Sequence, residues 1–171
     1  MQIKTYSGYH ENHKGLYRTL FKMTEPVGLV YDDYGDWFKK TFIPGLKKGE
    51  RGYVVAKDDK GGVVGCALLK DTPEEKKICT FFVRSDWRGR GIGTEMMTHC
   101  LQILGPHPLL TISQKNIAQF KPLLQRFGFE LSSKRRVKDR IEYHFNDQQA
   151  EAIRRGLIPV LIERMKQLGR K

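Results

Sequence analysis

Val83-Arg84-Ser85-Asp86-Trp87-Arg88-Gly89-Arg90-Gly91-Ile92-Gly93-Thr94 joins an apolar segment, Ile78-Cys79-Thr80-Phe81-Phe82-Val83, to a segment with helical periodicity. Three glycines alternate with basic or aliphatic residues at this junction. Glycine lets the backbone come close to a ligand and adopt positive φ, and a helix that starts inside such a loop aims unpaired N–H groups and the positive end of its dipole at an anion. The segment upstream reads as a buried strand and Glu95–Leu104 as a helix. Ile92, Met96, Met97, Cys100, Leu101 and Leu104 form its apolar stripe. The stretch therefore predicts strand, phosphate-binding loop and helix in that order.

Two common phosphate loops do not fit. Thr94 stands where the third glycine of GxGxxG belongs, and no GxxxxGK[ST] follows a strand. Arg88, Gly91 and Gly93 do fill (Arg/Gln)-x-x-Gly-x-(Gly/Ala). In this the chain resembles the GCN5-related N-acetyltransferase (GNAT) superfamily, whose acetyl-CoA signature has that form. The resemblance covers roughly residues 1–146 and is specific over 78–129. It implies an α/β (α+β) fold with a mixed twisted sheet of about seven strands and helices on both faces.

For this chain the resemblance implies acetyl-CoA as acetyl donor, with Arg88, Gly89, Arg90, Gly91, Ile92, Gly93 and Thr94 holding its pyrophosphate. Backbone N–H groups of the preceding strand would polarise the acetyl carbonyl, which points to Phe81, Phe82 and Val83, and an Asn opening the second cofactor segment would be Asn116. A tyrosine four residues before the closing glycine commonly protonates the departing thiolate in the family; here that residue is Leu124. A strand carboxylate commonly serves as base, yet no acid lies between Glu75 and Asp86. Glu74, Glu75, Glu142 and His144 remain candidates for that role. The implied activity is direct acetyl transfer to a primary amine in a ternary complex. The alternative is a catalytically weak acyl-CoA-binding regulator that acts through a protein partner.

Composition bounds the rest. The chain has 171 residues, 39% of them hydrophobic, enough for one domain with a sizeable core. No apolar run approaches the ~20 residues of a membrane span, and the first residues have no signal-peptide core, so a cytoplasmic protein is expected. Cys66, Cys79 and Cys100 are odd in number and sit among apolar neighbours, and the five histidines show no ligand spacing with them. Reduced core thiols and no metal are expected. The formal net charge is +12. Residues 1–75 carry 12 Lys/Arg against 11 Asp/Glu, and residues 76–171 carry 19 against 8. An RNA or ribosome-associated acceptor is a reasonable partner for that excess, met by Lys134, Arg135, Arg136, Lys138 and Arg140 at a hairpin tip. An aminoacyl-tRNA or a peptide N-terminus would also supply an α-amine, whose reference pKa near 8 demands little of a base.

Further expectations follow from local signals. Ile3 and Thr5 begin a first strand, and Leu16, Leu20, Phe21 and Met23 lie on a helix broken by Pro26. A second helix capped by Asp32 or Asp33 carries Tyr34, Trp37, Phe38 and Phe42 and ends at Pro44-Gly45. Gly52–Lys57 and Val63–Lys70 pair through Asp58 to Gly62. Asn116 and Gln119 form a capping box, with the regular helix starting near Lys121 because of Pro122, and Gly128 ends it. The last hairpin pairs Phe129–Ser133 with Arg140–Phe145. Residues 147–171 form a helical extension whose apolar stripe is covered by the domain or by a second subunit of a homodimer.

Overall fold

The computed structural model describes residues 1–148, which fall into two compact units, Met1–Leu109 and Leu110 onward. The helical extension expected over 147–171 lies outside the described residues apart from its first two positions.

In the first unit β1 (Gln2–Ser7), β2 (Arg51–Lys57), β3 (Val63–Asp71) and β4 (Lys76–Val83) form an antiparallel sheet in chain order. β2 and β3 are buried almost end to end, the pattern of strands covered on both faces. One face carries Tyr53, Val55, Cys66 and Leu68. Against it pack Tyr17 and Leu20 of α1 (Lys14–Met23), then, past the one-turn α2 (Glu25–Gly28), Tyr34 of α3 (Tyr34–Trp37), Phe38 and Phe42 of a π-helical turn, and Leu46 of α4 (Ile43–Lys47). The Tyr34 hydroxyl donates to Thr24 Oγ1 at 2.8 Å, and burial pushes its phenol up to about 12.

The aromatic helix does not end at Pro44-Gly45 as expected. It runs on to Lys47, because the five-residue π turn over Phe38–Phe42 widens the backbone ahead of Pro44, which then occupies the first turn of α4, where its missing N–H costs nothing. Asp33 precedes this run but its side chain makes no capping bond. The β2–β3 turn is as expected: Asp58 Oδ1 accepts from the N–H groups of Lys60 and Gly62, and Gly61 has φ +83°. The other sheet face is covered by α5 (Ile92–Leu104), which buries Ile92, Met96, Met97, Cys100 and Leu104. A Cβ on Gly65 would come within 2.8 Å of Met96 Sδ and 3.2 Å of Phe82 O, so glycine there sets how closely α5 lies on the sheet. Gly105, at φ +85°, ends the helix.

The second unit holds β5 (Leu109–Ser113), α6 (Ile117–Arg126), β6 (Leu131–Val137) and β7 (Arg140–Phe145), with strand order β5-β7-β6, both pairings antiparallel. α6 is helical from Ile117 through Pro122, so the expected start near Lys121 is corrected. Proline at this point forfeits a single hydrogen bond, the one its N–H would have made to the carbonyl of Ala118. Asn116 is the residue before the helix, but its side chain makes no capping bond and the capping box does not form. The C-terminus closes as expected: Gly128 has φ +66°, its N–H reaches Gln125 O, and that of Phe129 reaches Leu124 O, a Schellman motif.

The last hairpin is longer than read from sequence. Strand β6 extends to Val137 and the connection is Lys138-Asp139, with Lys138 at φ +54°. Lys134, Arg135 and Arg136 thereby lie on β6 and Arg140 on β7, and Lys138 stays at the turn. Arg135 pairs with Asp147 at 2.7 Å, Arg140 with Glu142 at 2.7 Å, and the Lys134 ammonium lies 4.9 Å from the Tyr143 ring centroid. Among the described residues no helix is long and apolar enough to cross a membrane, and no group of His, Cys, Asp and Glu is arranged to hold a metal. The three cysteines are free thiols, Cys66 and Cys100 buried.

Candidate active site

The loop between β4 and α5 is held by its own side chains. Arg88 Nε donates to the carbonyl oxygen of Val83 at 2.9 Å, tying the middle of the loop to the end of the strand. Arg84 makes a forked pair with Asp86, Nε to Oδ1 at 3.1 Å and Nη2 to Oδ2 at 2.6 Å. Arg90 Nη2 donates to the backbone oxygen of Asp86 at 3.1 Å and its guanidinium lies 4.8 Å from the Trp87 ring centroid. Asp86 thus balances Arg84 and not Arg88.

The glycines have different reasons. Gly89 (φ +73°) and Gly91 (φ +80°) occupy the left-handed region and face open space, whereas Gly93 is helical and a Cβ there would sit 3.8 Å from Phe81 Cε1. Gly91 turns the chain into α5. The first bond of that helix runs from Glu95 N–H to Gly91 O, so the N–H groups of Ile92, Gly93 and Thr94 lie ahead of the helical ladder. Helix α5 begins here and not at Glu95. Three N–H groups, two loop arginines and an uncrowded left-handed turn fit a pyrophosphate.

The strand end is equally specific. Arg84 N–H bonds to Val64 O at 2.9 Å, and the β3–β4 register is regular from Val83 back to Thr80. Bonded residues alternate in an antiparallel ladder, so Phe82 turns its N–H and C=O toward β3, while Phe81 and Val83 turn theirs toward the opposite edge. The Arg88–Val83 bond agrees with this phase. Phe82, expected to offer its amide, is committed to the ladder; its ring instead lines a cavity.

That cavity, about 460 Å³, lies within the first unit, lined by Thr19, Lys22 and Met23 of α1, Val63 of β3, Phe82, and Arg84, Ser85 and Asp86. Nothing in the sequence singled it out, because its walls come from three segments and no motif links them. Tyr34, Phe38 and Phe42 belong to the core, and Trp37 packs against it.

The remaining candidates are placed as follows. Glu75 lies ahead of β4, roughly 25 Å along the strand from Val83, and its carboxylate pairs with Lys70 at 2.9 Å. Leu124 is buried, 5% exposed, and has no proton to give. In the second unit Glu142 is buried beside Arg140, and His144 lies 3.7 Å from Glu142 and 3.9 Å from Asp147. Asn116 opens α6 in that unit.

The helix-flanked sheet whose fourth strand runs through a glycine-rich turn into a helix is a GNAT-like fold. Residues 49–131 match the family model of the acetyltransferase (GNAT) domain. Solved structures agree. The ribosomal-protein-S18-alanine N-acetyltransferase from Escherichia coli superposes with TM-score 0.61 at 14% identity, covering 84% of this chain and 92% of that one. The PaiA N-acetyltransferase from Thermoplasma acidophilum, in complex with coenzyme A, gives 0.59 at 13%, covering 84% and 98%. Nourseothricin acetyltransferase gives 0.51 at 17% over 57% of this chain, which spans 65% of that protein's length. These likenesses show a shared fold. No curated protein sequence matches.

Proposed function

We propose that the chain transfers an acetyl group from acetyl-CoA to a primary amine, and that Arg88 to Thr94 hold the pyrophosphate. The observation that carries this is the Arg88–Val83 bond. It ties the loop to the strand end whose Val83 amide edge is turned away from β3, which supports a reading in which one element would offer both a phosphate site and a carbonyl-binding edge. The GNAT domain match and the coenzyme A complex of the Thermoplasma protein support the donor.

Acetyl-CoA supplies a thioester, whose C–S bond breaks as the amine nitrogen bonds to the acetyl carbon, giving an amide and the CoA thiol, with the amine's displaced proton passing to solvent or sulfur. The Val83 N–H would hydrogen-bond the acetyl oxygen as charge develops on it, a type of contact worth roughly 3 kcal/mol. Phe81 and Asn116 are further donor contacts implied by the family pattern. A thiol's ordinary pKa is near 8.5, so the CoA thiolate is a tolerable leaving group, which reduces the need for the acid missing at Leu124. An α-amine titrating near 8 reduces the need for a base, so a peptide N-terminus or an aminoacyl-tRNA is the preferred acceptor class. The E. coli structural relative is, by name, an enzyme acting on the alanine of a ribosomal protein. Steady CoA release with α-amine acceptors, abolished in Gly91→Glu, tests the reading.

Buried Leu124 favours a second reading, an acyl-CoA-binding regulator. Tight acetyl-CoA binding without turnover on any amine would select it.

A further inference from the structure

The cavity beside β4 has an asymmetry that acetyl transfer by itself does not use. Its wall is apolar, formed by Met23, Val63 and Phe82, and its rim is polar and charged. Arg84 and Asp86 on the rim neutralise each other through their fork. Lys22 has no ion-pair partner among the described residues, and it lies one helical turn from Thr19 on the same lining face. The rim therefore carries one net positive charge. The Asp86 carboxylate, with only two of its lone-pair sites taken by Arg84, keeps capacity for an ammonium group. A polyamine or aminoglycoside would have to bring several cations against Lys22 and Arg84. An acceptor that carries one ammonium, one carboxylate and an apolar side chain meets a complement for each.

We propose that this cavity selects an acceptor whose primary amine lies within one residue of a carboxylate and beside an apolar side chain. Lys22 receives the carboxylate, and Met23, Val63 and Phe82 receive the apolar group. Asp86, steadied by Arg84, faces the amine. The word acceptor rests on the acetyl-transfer reading, but the binding preference does not. A free apolar α-amino acid and a peptide N-terminus followed by an acidic residue share this chemistry.

The test is titration of the 15N-labelled full chain, without acetyl-CoA, by four probes: leucine, the peptide amides Leu-Glu-Ala-Ala and Leu-Lys-Ala-Ala, and spermidine. Leucine or the glutamate peptide is expected to shift the amides of Thr19, Lys22 and Phe82 and to bind about tenfold more tightly than the lysine peptide, since one favourable and one unfavourable charge contact each change affinity several-fold. Which of the two binds better tells the sources apart. Lys22 is exposed on α1, so Lys22→Glu leaves the fold intact and is expected to reverse the order of the two peptides. Tighter binding of spermidine or the lysine peptide to the unaltered chain, an unchanged order in Lys22→Glu, or no shift at these amides would overturn the proposal. Acetyl-CoA binding, measured separately by calorimetry, reports on the acetyl-transfer reading alone.

Discussion

Arg88 Nε and the carbonyl oxygen of Val83 are 2.9 Å apart, a hydrogen bond across five residues that closes the anion loop onto the end of β4. It fixes where the loop lies relative to the strand edge. Arg88→Ala is expected to weaken acetyl-CoA binding about tenfold, the effect of losing a charge-assisted bond of ~1.5 kcal/mol. Arg88 is exposed, so melting should move by no more than about 2 °C. Calorimetric titration and a thermal melt on the same samples separate the two effects.

Gly91 and Gly93 should answer differently to alanine. Gly91 holds φ +80°, where a Cβ costs ~1–2 kcal/mol, so Gly91→Ala should lower the melting temperature by about 3–6 °C. Gly93 is helical and its added methyl would make ordinary contact with Phe81, so Gly93→Ala should leave the melting temperature unchanged or raise it slightly. Equal destabilisation by both would contradict the left-handed turn at Gly91.

Acid should weaken the first unit through His13. Its Nδ1 lies 2.6 Å from the buried Tyr53 hydroxyl, and its pKa is lowered by burial first, then by His10 and Lys57. The unfolded chain therefore binds the proton more readily. His13's contribution to stability is complete above the ordinary histidine value near 6.5 and is lost as the pH falls from there through its lower folded value. Melting at pH 7.5 and pH 5.0 should show a smaller drop in His13→Gln than in the unaltered protein.

The second unit rests on a largely buried ion pair, Arg140 with Glu142, whose side chains are 16% and 9% exposed. Arg140→Leu leaves the Glu142 carboxylate without that partner and should destabilise the protein by ~3 kcal/mol. The double variant Arg140→Leu/Glu142→Leu should recover much of that loss in urea denaturation. No recovery would mean that the pair is incidental to stability.

The sheet of the first unit was legible in sequence because β2 and β3 are uniformly apolar and the Asp58 to Gly62 turn carries its own chemistry. The turn into α5 was legible for a related reason: Gly89 and Gly91 hold positive φ, and the residues that make the turn are local in the chain. Errors arose where tertiary context overrode a local rule. Pro44 read as a helix stop and Pro122 as a residue that delays a helix start, yet a π turn accommodates the first and α6 runs through the second at the loss of one backbone hydrogen bond. Phe82 was misread because the direction of a strand N–H depends on ladder phase, which no side chain records. The basic run at 134–140 read as a hairpin-tip contact for an RNA or ribosome-associated acceptor, and the pairings of Arg135 with Asp147 and Arg140 with Glu142 show that part of its charge is balanced within the fold.

Calorimetric titration of acetyl-CoA into the unaltered chain and into Gly91→Glu tests the central claim most directly. A saturable one-to-one site in the unaltered chain, weakened at least about a hundredfold by a carboxylate placed in the cradle, is the predicted result. Absence of a site, or equal affinity in the two proteins, would contradict the assignment of the loop at 88–94 as the pyrophosphate site.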